Sequence, residues 1–168
     1  VKIIRFVTFA SLLALAACGA PQMQEVTPPA GTFKPAAGAE AQGRPAPDLI
    51  VAINAAREAE GLGVLAVSPA ANRAAREQAG DMATVGFMDH TGSDGSTPGD
   101  RLTAAGLDWC IVAENVAYGH PTAEAVVEGW LRSAGHRHNL LSDTTLVGAA
   151  TAGPEERPYW SAVFAQPC

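Results

Sequence analysis

The segment IVAENVAYG, residues 111–119, restricts this chain more than any other stretch. Its β-branched residues and its alternation read as a strand. Yet Glu114 stands in the middle of it, with Val112 and Val116 on its own face. Burial that shifts a carboxyl pKa by about 3–5 units without compensation costs roughly 4–7 kcal/mol. Folded domains are stable by only about 5–15 kcal/mol. The fold must therefore bring this carboxylate a partner, or leave its strand at a sheet edge facing water.

The remaining elements alternate between helix and strand. In DLIVAINAAREAEG, Leu49, Ile53 and Ala56 recur at helical spacing, Asp48 can cap the start and Gly61 can end it. GVLAVS reads as a brief strand or an extended link. In SPAANRAAREQAGDMATVGF, Ser68 is an N-cap, Pro69 suits the first helical position and Gly86 suits the C-terminal cap. TPGDRLTAAGL repeats the device: Thr97 caps, Pro98 opens, Asp100 completes a capping box and Gly106 stops the helix. TAEAVVEGWLRSAG presents Val127, Trp130, Leu131 and Ala134 on one apolar face and ends at Gly135. HRHNLLS is a short helical turn or irregular. TLVGAATAG and YWSAVFAQ are strands, expected to pair as a hairpin across GPEERP. Both are apolar on alternate and intervening positions, as in a sheet covered on both faces. The class is α+β, a three-layer α-β-α sandwich around a small mixed or antiparallel sheet.

The folded part is expected over residues 48–168. Ahead of it, residues 18–47 hold half of the chain's 12 prolines among Ala, Gly and Gln, the composition of a flexible tether. Residues 1–17 read as an export signal: Lys2 and Arg5, then an apolar run too short to span a bilayer, then small residues. LAAC, ending at Cys18, resembles the lipobox of bacterial lipoproteins, which implies lipidation of Cys18 and attachment to a membrane. Gly19 lacks the Asp that retains some lipoproteins at the inner membrane, so the expected place is the outer membrane or periplasm. A plain cleaved signal and a secreted protein is the alternative. Export is compatible with disulfides. With Cys18 lipidated, Cys110 and Cys168 remain as an even pair among the three cysteines. A bridge between them would tie down the C-terminus and contribute about 4 kcal/mol by chain entropy. The net charge is −6, and loss of residues 1–17 makes it more negative. No basic cluster exists, so nucleic acid is excluded as a partner, and membrane contact would come through the lipid.

Two histidines suit Glu114. His90 lies in GFMDHTGSDG, a stretch too rich in Gly, Ser, Thr and Asp for helix or strand, and His136 follows Gly135. Two imidazoles and a carboxylate from three elements could hold a divalent metal such as zinc, or form a hydrogen-bonded cluster without one. Arg101 is a further candidate to pair with an acid below the cleft. Asn115 and Asn139 read as braces to backbone, His138 and His120 as surface residues, and Trp109, Trp130 and Trp160 as core or rim.

The strings ANRAAREQAGDMA, GFMDHTGSDGSTPGDRLTAAGL, AENVAYG, AEAVVEGWLRSAGHRHNLLS and YWSAVFAQ, in this order, closely resemble the bacterial branch of the CAP superfamily, the SCP-like domains. The resemblance runs from about Asp48 to Phe164 and implies an α-β-α sandwich. It also implies a cleft lined by His90, Glu114 and His136, which in several members binds a divalent metal. Eukaryotic members place a second cleft glutamate three residues after the helix tryptophan. Here that position is Ser133, and Glu128 lies on the other side of Trp130. The set is one carboxylate short unless water or Asp94 completes it. Asp94 and Ser96 can reach the cleft or close their own turn.

Two functions are open. One is a cell-envelope lipoprotein whose His/Glu cleft binds a metal, lipid or glycan fragment without catalysis. The other is a metal-assisted hydrolase or protease, with His90 and His136 holding the metal and Glu114 as general base. No activated nucleophile is evident, since Ser93, Ser96 and Ser133 lack a G-x-S-x-G setting. A domain whose polar cluster only staples the cleft is a third, structural possibility.

Overall fold

The computed structural model describes residues 35–168. The export signal, Cys18 and most of the expected tether lie outside the described residues. Helix α1 spans Pro47–Ala59, α2 Pro69–Val85, α3 Pro98–Ala104, α4 Ala123–Arg132 and α5 Ala134–Leu140. Strand β1 is Arg44–Pro45, β2 Ala66–Val67, β3 Trp109–Tyr118, β4 Leu146–Ala152 and β5 Tyr159–Pro167. The local signals act as their chemistry dictates. Ser68 Oγ accepts from the Ala71 N–H, and Gly86 closes α2 at φ 79°, a conformation open to glycine without steric cost. Both halves of the capping box form at Thr97 and Asp100.

Three boundaries differ from the sequence expectation. Contacts with the sheet begin before Asp48: Arg44 and Pro45 pair with Thr151 and Ala150, and the Gly153 N–H donates to the Glu40 carbonyl. Backbone pairing, which composition does not reveal, holds this end of the expected tether against the sheet. Asp48 is not the cap of α1; Ala46 holds that position and Asp48 lies in the first turn. Gly135 does not end a helix. The chain breaks earlier, at Ser133 in an extended conformation, and α5 then carries Gly135 and His136 together.

The sheet order is β1-β4-β5-β3, with β2 added parallel to β4. The other pairings are antiparallel, including the β4–β5 hairpin. Alternation along β5 divides the core. Trp160, Ala162 and Phe164 face α1, α4 and α5. Tyr159, Val163 and Ala165 face α2 and α3. Helices therefore cover both faces, and the molecule is the three-layer sandwich expected. Cys110 and Cys168 form the disulfide, bridging a sequence separation of 58 and joining the start of β3 to the end of the chain beyond β5.

α2 lies close to the sheet because its inner face is built from alanines: Ala71, Ala74, Ala75 and Ala79 are all fully buried. A Cβ on Gly148 of β4 would overlap the backbone of Ala71 and Asn72. Gly148→Ala should therefore destabilise the protein by about 1–3 kcal/mol or more in urea unfolding. Gly135→Ala, where a Cβ meets open space inside α5, should leave stability unchanged or slightly raised.

Candidate functional site

Glu114 points from β3 into the layer that holds α2 and α3, and its side chain has no solvent exposure. Register decides its first partner. Glu114 stands opposite Val163 and Val116 opposite Ser161, so Ser161 lies on the same face, one pair along. Ser161 Oγ donates to Glu114 Oε1 at 3.2 Å. α3 supplies the second partner: Arg101 Nη2 donates to the same oxygen at 3.1 Å, and Arg101 is itself buried. The loop between α2 and α3 supplies the third, with His90 Nδ1 at 3.0 Å from Glu114 Oε2.

Arg101 also orders that loop. Its Nη1 donates to the Ser96 carbonyl and Oγ, and its Nη2 to the His90 carbonyl. The guanidinium thus neutralises Glu114 and fixes the backbone that delivers His90. Unlike the carboxylate, the His90 side chain is 49% exposed. The hydrogen bond with Glu114 pushes the imidazole pKa up, outweighing the opposing effect of burial. With Nδ1 turned to the carboxylate, Nε2 is the nitrogen left to meet a ligand.

His90 and Glu114 share a hollow of about 380 Å³ with Thr97, Trp109, Val112 and Asn139. It runs beside the outer edge of β3, where side chains satisfy part of the backbone. Asn139 Nδ2 donates to the Glu114 carbonyl at 3.1 Å, and Trp130 Nε1 to the Val116 carbonyl at the same distance. Asn115, on the opposite face of the strand, donates to the His136 carbonyl and accepts from Asn139. Trp109 Nε1 is bound to the Gly99 carbonyl and Thr103 Oγ1, which holds the indole at the rim.

The expected convergence of His90, Glu114 and His136 on a metal is not formed. Among the described residues no group of three or more His, Cys, Asp or Glu side chains could hold a metal ion. Leu140 of α5 packs in the layer with α1 and α4, while Asn139 of the same helix reaches the hollow beside Glu114. The His136 ring lies 6.4 Å from that of Trp130, centre to centre. The donor set is also unsuited to a dication. Both Glu114 oxygens are engaged, one by a buried guanidinium whose charge would repel a metal. Ser133 lies at the α4–α5 junction and does not line the hollow. Asp94 and Ser96 line a different cavity, together with Arg101. The expected pairing of Arg101 with an acid is met by Glu114, whereas the part of Ser161 becomes visible only when the β5 register is known.

An α-β-α sandwich with a buried strand carboxylate beside a loop histidine defines a class of small domain. The model of the cysteine-rich secretory protein family, CAP, matches residues 50–164, and the chain belongs to that family. The uncharacterized protein YkwD of Bacillus subtilis is 34% identical over 89 residues, which cover 53% of this chain and 35% of YkwD. The uncharacterized membrane protein YlbC of the same organism is 35% identical over 85 residues, 50% of this chain and 23% of YlbC. The chain thus matches about a third and a quarter of these relatives' lengths. An extracellular SCP-domain protein from Bacillus anthracis superposes with TM-score 0.63 at 27% identity, covering 70% of this chain and 39% of that one. An outer surface protein of Borrelia burgdorferi shares the fold with TM-score 0.66 at 23% identity, over 71% and 90% of the two chains.

Arg101→Met, which removes the guanidinium and leaves Glu114 buried, should cost about 3–5 kcal/mol in chemical unfolding. The His90 contribution has the opposite dependence from an acid. Its folded-state pKa lies above 6.5, so its stabilisation is complete below that pH and is lost as pH rises through the raised value. His90→Gln should therefore flatten the fall in melting temperature between about pH 6 and pH 8.

Proposed function

We propose that this chain is an exported CAP-domain protein that binds its ligand, without turning it over, in the hollow beside the β3 edge. The observation that carries this reading is the chain Arg101–Glu114–His90, which runs from a buried guanidinium to a half-exposed imidazole. It fixes one ring nitrogen and, in the protonated ring, presents the other as a hydrogen-bond donor. Trp109 and Val112 supply apolar wall beside it, and Thr97 and Asn139 supply polar groups. A few placed polar groups on a mainly apolar wall suit an organic ligand with oxygen acceptors, such as a glycan fragment or a lipid headgroup.

Catalysis has less support. Glu114 is held by three donors and is not free to act as a general base. The metal-assisted hydrolase requires an open coordination position, which this donor set does not provide. Export is supported by the likeness to an extracellular SCP-domain protein, by the disulfide and by the signal-like residues 1–17. The LAAC segment favours a lipid anchor at Cys18 and a place in the outer membrane or periplasm. Among the described residues no helix is long and apolar enough to cross a membrane.

The test is titration of the protein with soluble cell-wall oligosaccharides and, separately, with short-chain phospholipids, followed at the His90 ring by NMR. One series should shift the His90 resonances saturably, with affinity falling as pH rises through the His90 pKa. His90→Ala should weaken that ligand at least about tenfold, a loss near 1.4 kcal/mol. Unmoved His90 signals in both series would remove the reading.

A further inference from the structure

The outer edge of β3 is only partly closed. In an antiparallel pair, alternate residues turn both N–H and carbonyl toward the partner strand, and the residues between them turn theirs away. Two observations fix the parity here. The Gly119 N–H, which continues the series Ala113, Asn115, Ala117, donates across to the Pro158 carbonyl. The Glu114 and Val116 carbonyls instead accept from Asn139 and Trp130, on α5 and α4. Val112 and Glu114 therefore turn their backbone groups outward. Among the described residues, no hydrogen bond reaches the Val112 N–H, the Val112 carbonyl or the Glu114 N–H. A strand edge with such groups is a template for a further strand.

These groups open into the hollow that holds His90. Its lining includes Val112 and Glu114, whose side chains face α3, and also Ala113, whose side chain faces the other layer. The hollow thus crosses the edge of the strand and is not confined to one face. Exposure agrees. Glu114 is 4% exposed as a residue while its side chain is 0% exposed, so its open surface is main chain. Val112 and Ala113 are half-buried, and Cys110 and Ile111 are exposed. Past Glu114 the edge is covered by Asn139 and Trp130, which ends the open stretch.

The pattern of free groups selects the ligand. The N–H and C=O of one trans amide point in opposite directions, so an acetamido group can meet only one kind of group on this edge. An extended amino-acid residue turns its own N–H and carbonyl to the same side. It meets both groups of Val112 in an antiparallel pairing, or bridges the Val112 carbonyl and the Glu114 N–H in a parallel one. The walls add a charge preference. Glu114 is paired with Arg101, and no other carboxylate lines the hollow, which leaves the charge of a protonated His90 unbalanced.

We infer that the open stretch of β3 takes up a short extended peptide of a partner protein as an added strand, with an acidic side chain of that peptide beside His90. The inference rests on the reading that a ligand enters this hollow, and it names the class of that ligand. Main-chain pairing supplies affinity, and the acid supplies selectivity.

NMR on the whole protein tests this with acetyl-Thr-Val-Glu-Val-Thr-amide as the probe. Before the peptide is added, the Val112 and Glu114 amide protons should exchange with solvent faster than those of Ala113 and Asn115, which bond to β5. The peptide should slow exchange at both and shift the His90 ring signals. Two analogues isolate the strand pairing, one N-methylated at Glu and one at both Val residues. Only one set of amides faces β3, so one analogue should lose about tenfold or more in affinity and the other should bind. Val112→Pro removes the outward N–H and no bond to β5, and should weaken the peptide about tenfold, with circular dichroism showing that it folds. His90→Gln should erase the preference for this peptide over its Gln counterpart. Equal affinity of the two N-methyl analogues, binding that leaves His90 unmoved, or no binding would each overturn the assignment. So would slow exchange at Val112 and Glu114 in the unliganded protein, which would mean an edge covered by residues 18–34 or by a second copy. A glycan or phospholipid that moves His90 where no peptide does keeps the binding reading and removes this one; silence at His90 with all three removes both.

Discussion

The ion pair between Glu114 and Arg101 is the interaction on which the functional half of this molecule depends. A carboxylate with no solvent exposure sits inside an apolar layer, and a guanidinium nearly as buried meets it at 3.1 Å. Neither group is stable there alone, because an unpaired buried charge costs several kcal/mol. Their pairing fixes α3 against β3. It also orders the loop between α2 and α3, since the same guanidinium binds the Ser96 and His90 carbonyls. The interaction therefore places His90, not merely Glu114.

The scaffold around this pair is arranged to tolerate it. β3 is an edge strand, so a carboxylate on it can be reached from a loop as well as from a helix. An unpaired edge is a hazard for aggregation. Here Asn139 Nδ2 and Trp130 Nε1 occupy the Glu114 and Val116 carbonyls, and the disulfide ties the start of β3 to the chain end beyond β5. The alanine face of α2 brings the opposite layer close to the sheet.

Much of the fold was legible because its signals are local. Ser68, Thr97, Asp100 and Gly86 specify helix ends through hydrogen bonds within a few residues. The apolar pattern of β4 and β5 revealed a sheet covered on both sides. The weaker inferences were those that depended on what packs where. Gly135 resembles a helix stop in sequence, yet the chain bends at Ser133 because a second helix has to turn along the outer edge of β3. Residues 44–45 have the composition of the tether but add to the sheet through backbone groups, which carry no side-chain signature.

The sequence by itself determined that a strand would carry a glutamate in need of a partner or of an edge facing water, and that helices would cover both faces of a small sheet. Both follow from residue type and spacing, whereas a loop histidine beside that glutamate followed from the family resemblance. Only the tertiary structure decided which partners Glu114 takes. Parity along β3 sends Glu114 to the α2–α3 face, where Arg101 and Ser161 bind it, and Asn115 to the other, where it donates to the His136 carbonyl. Sequence spacing does not encode that choice, because it is set by strand register and by the order in which layers stack.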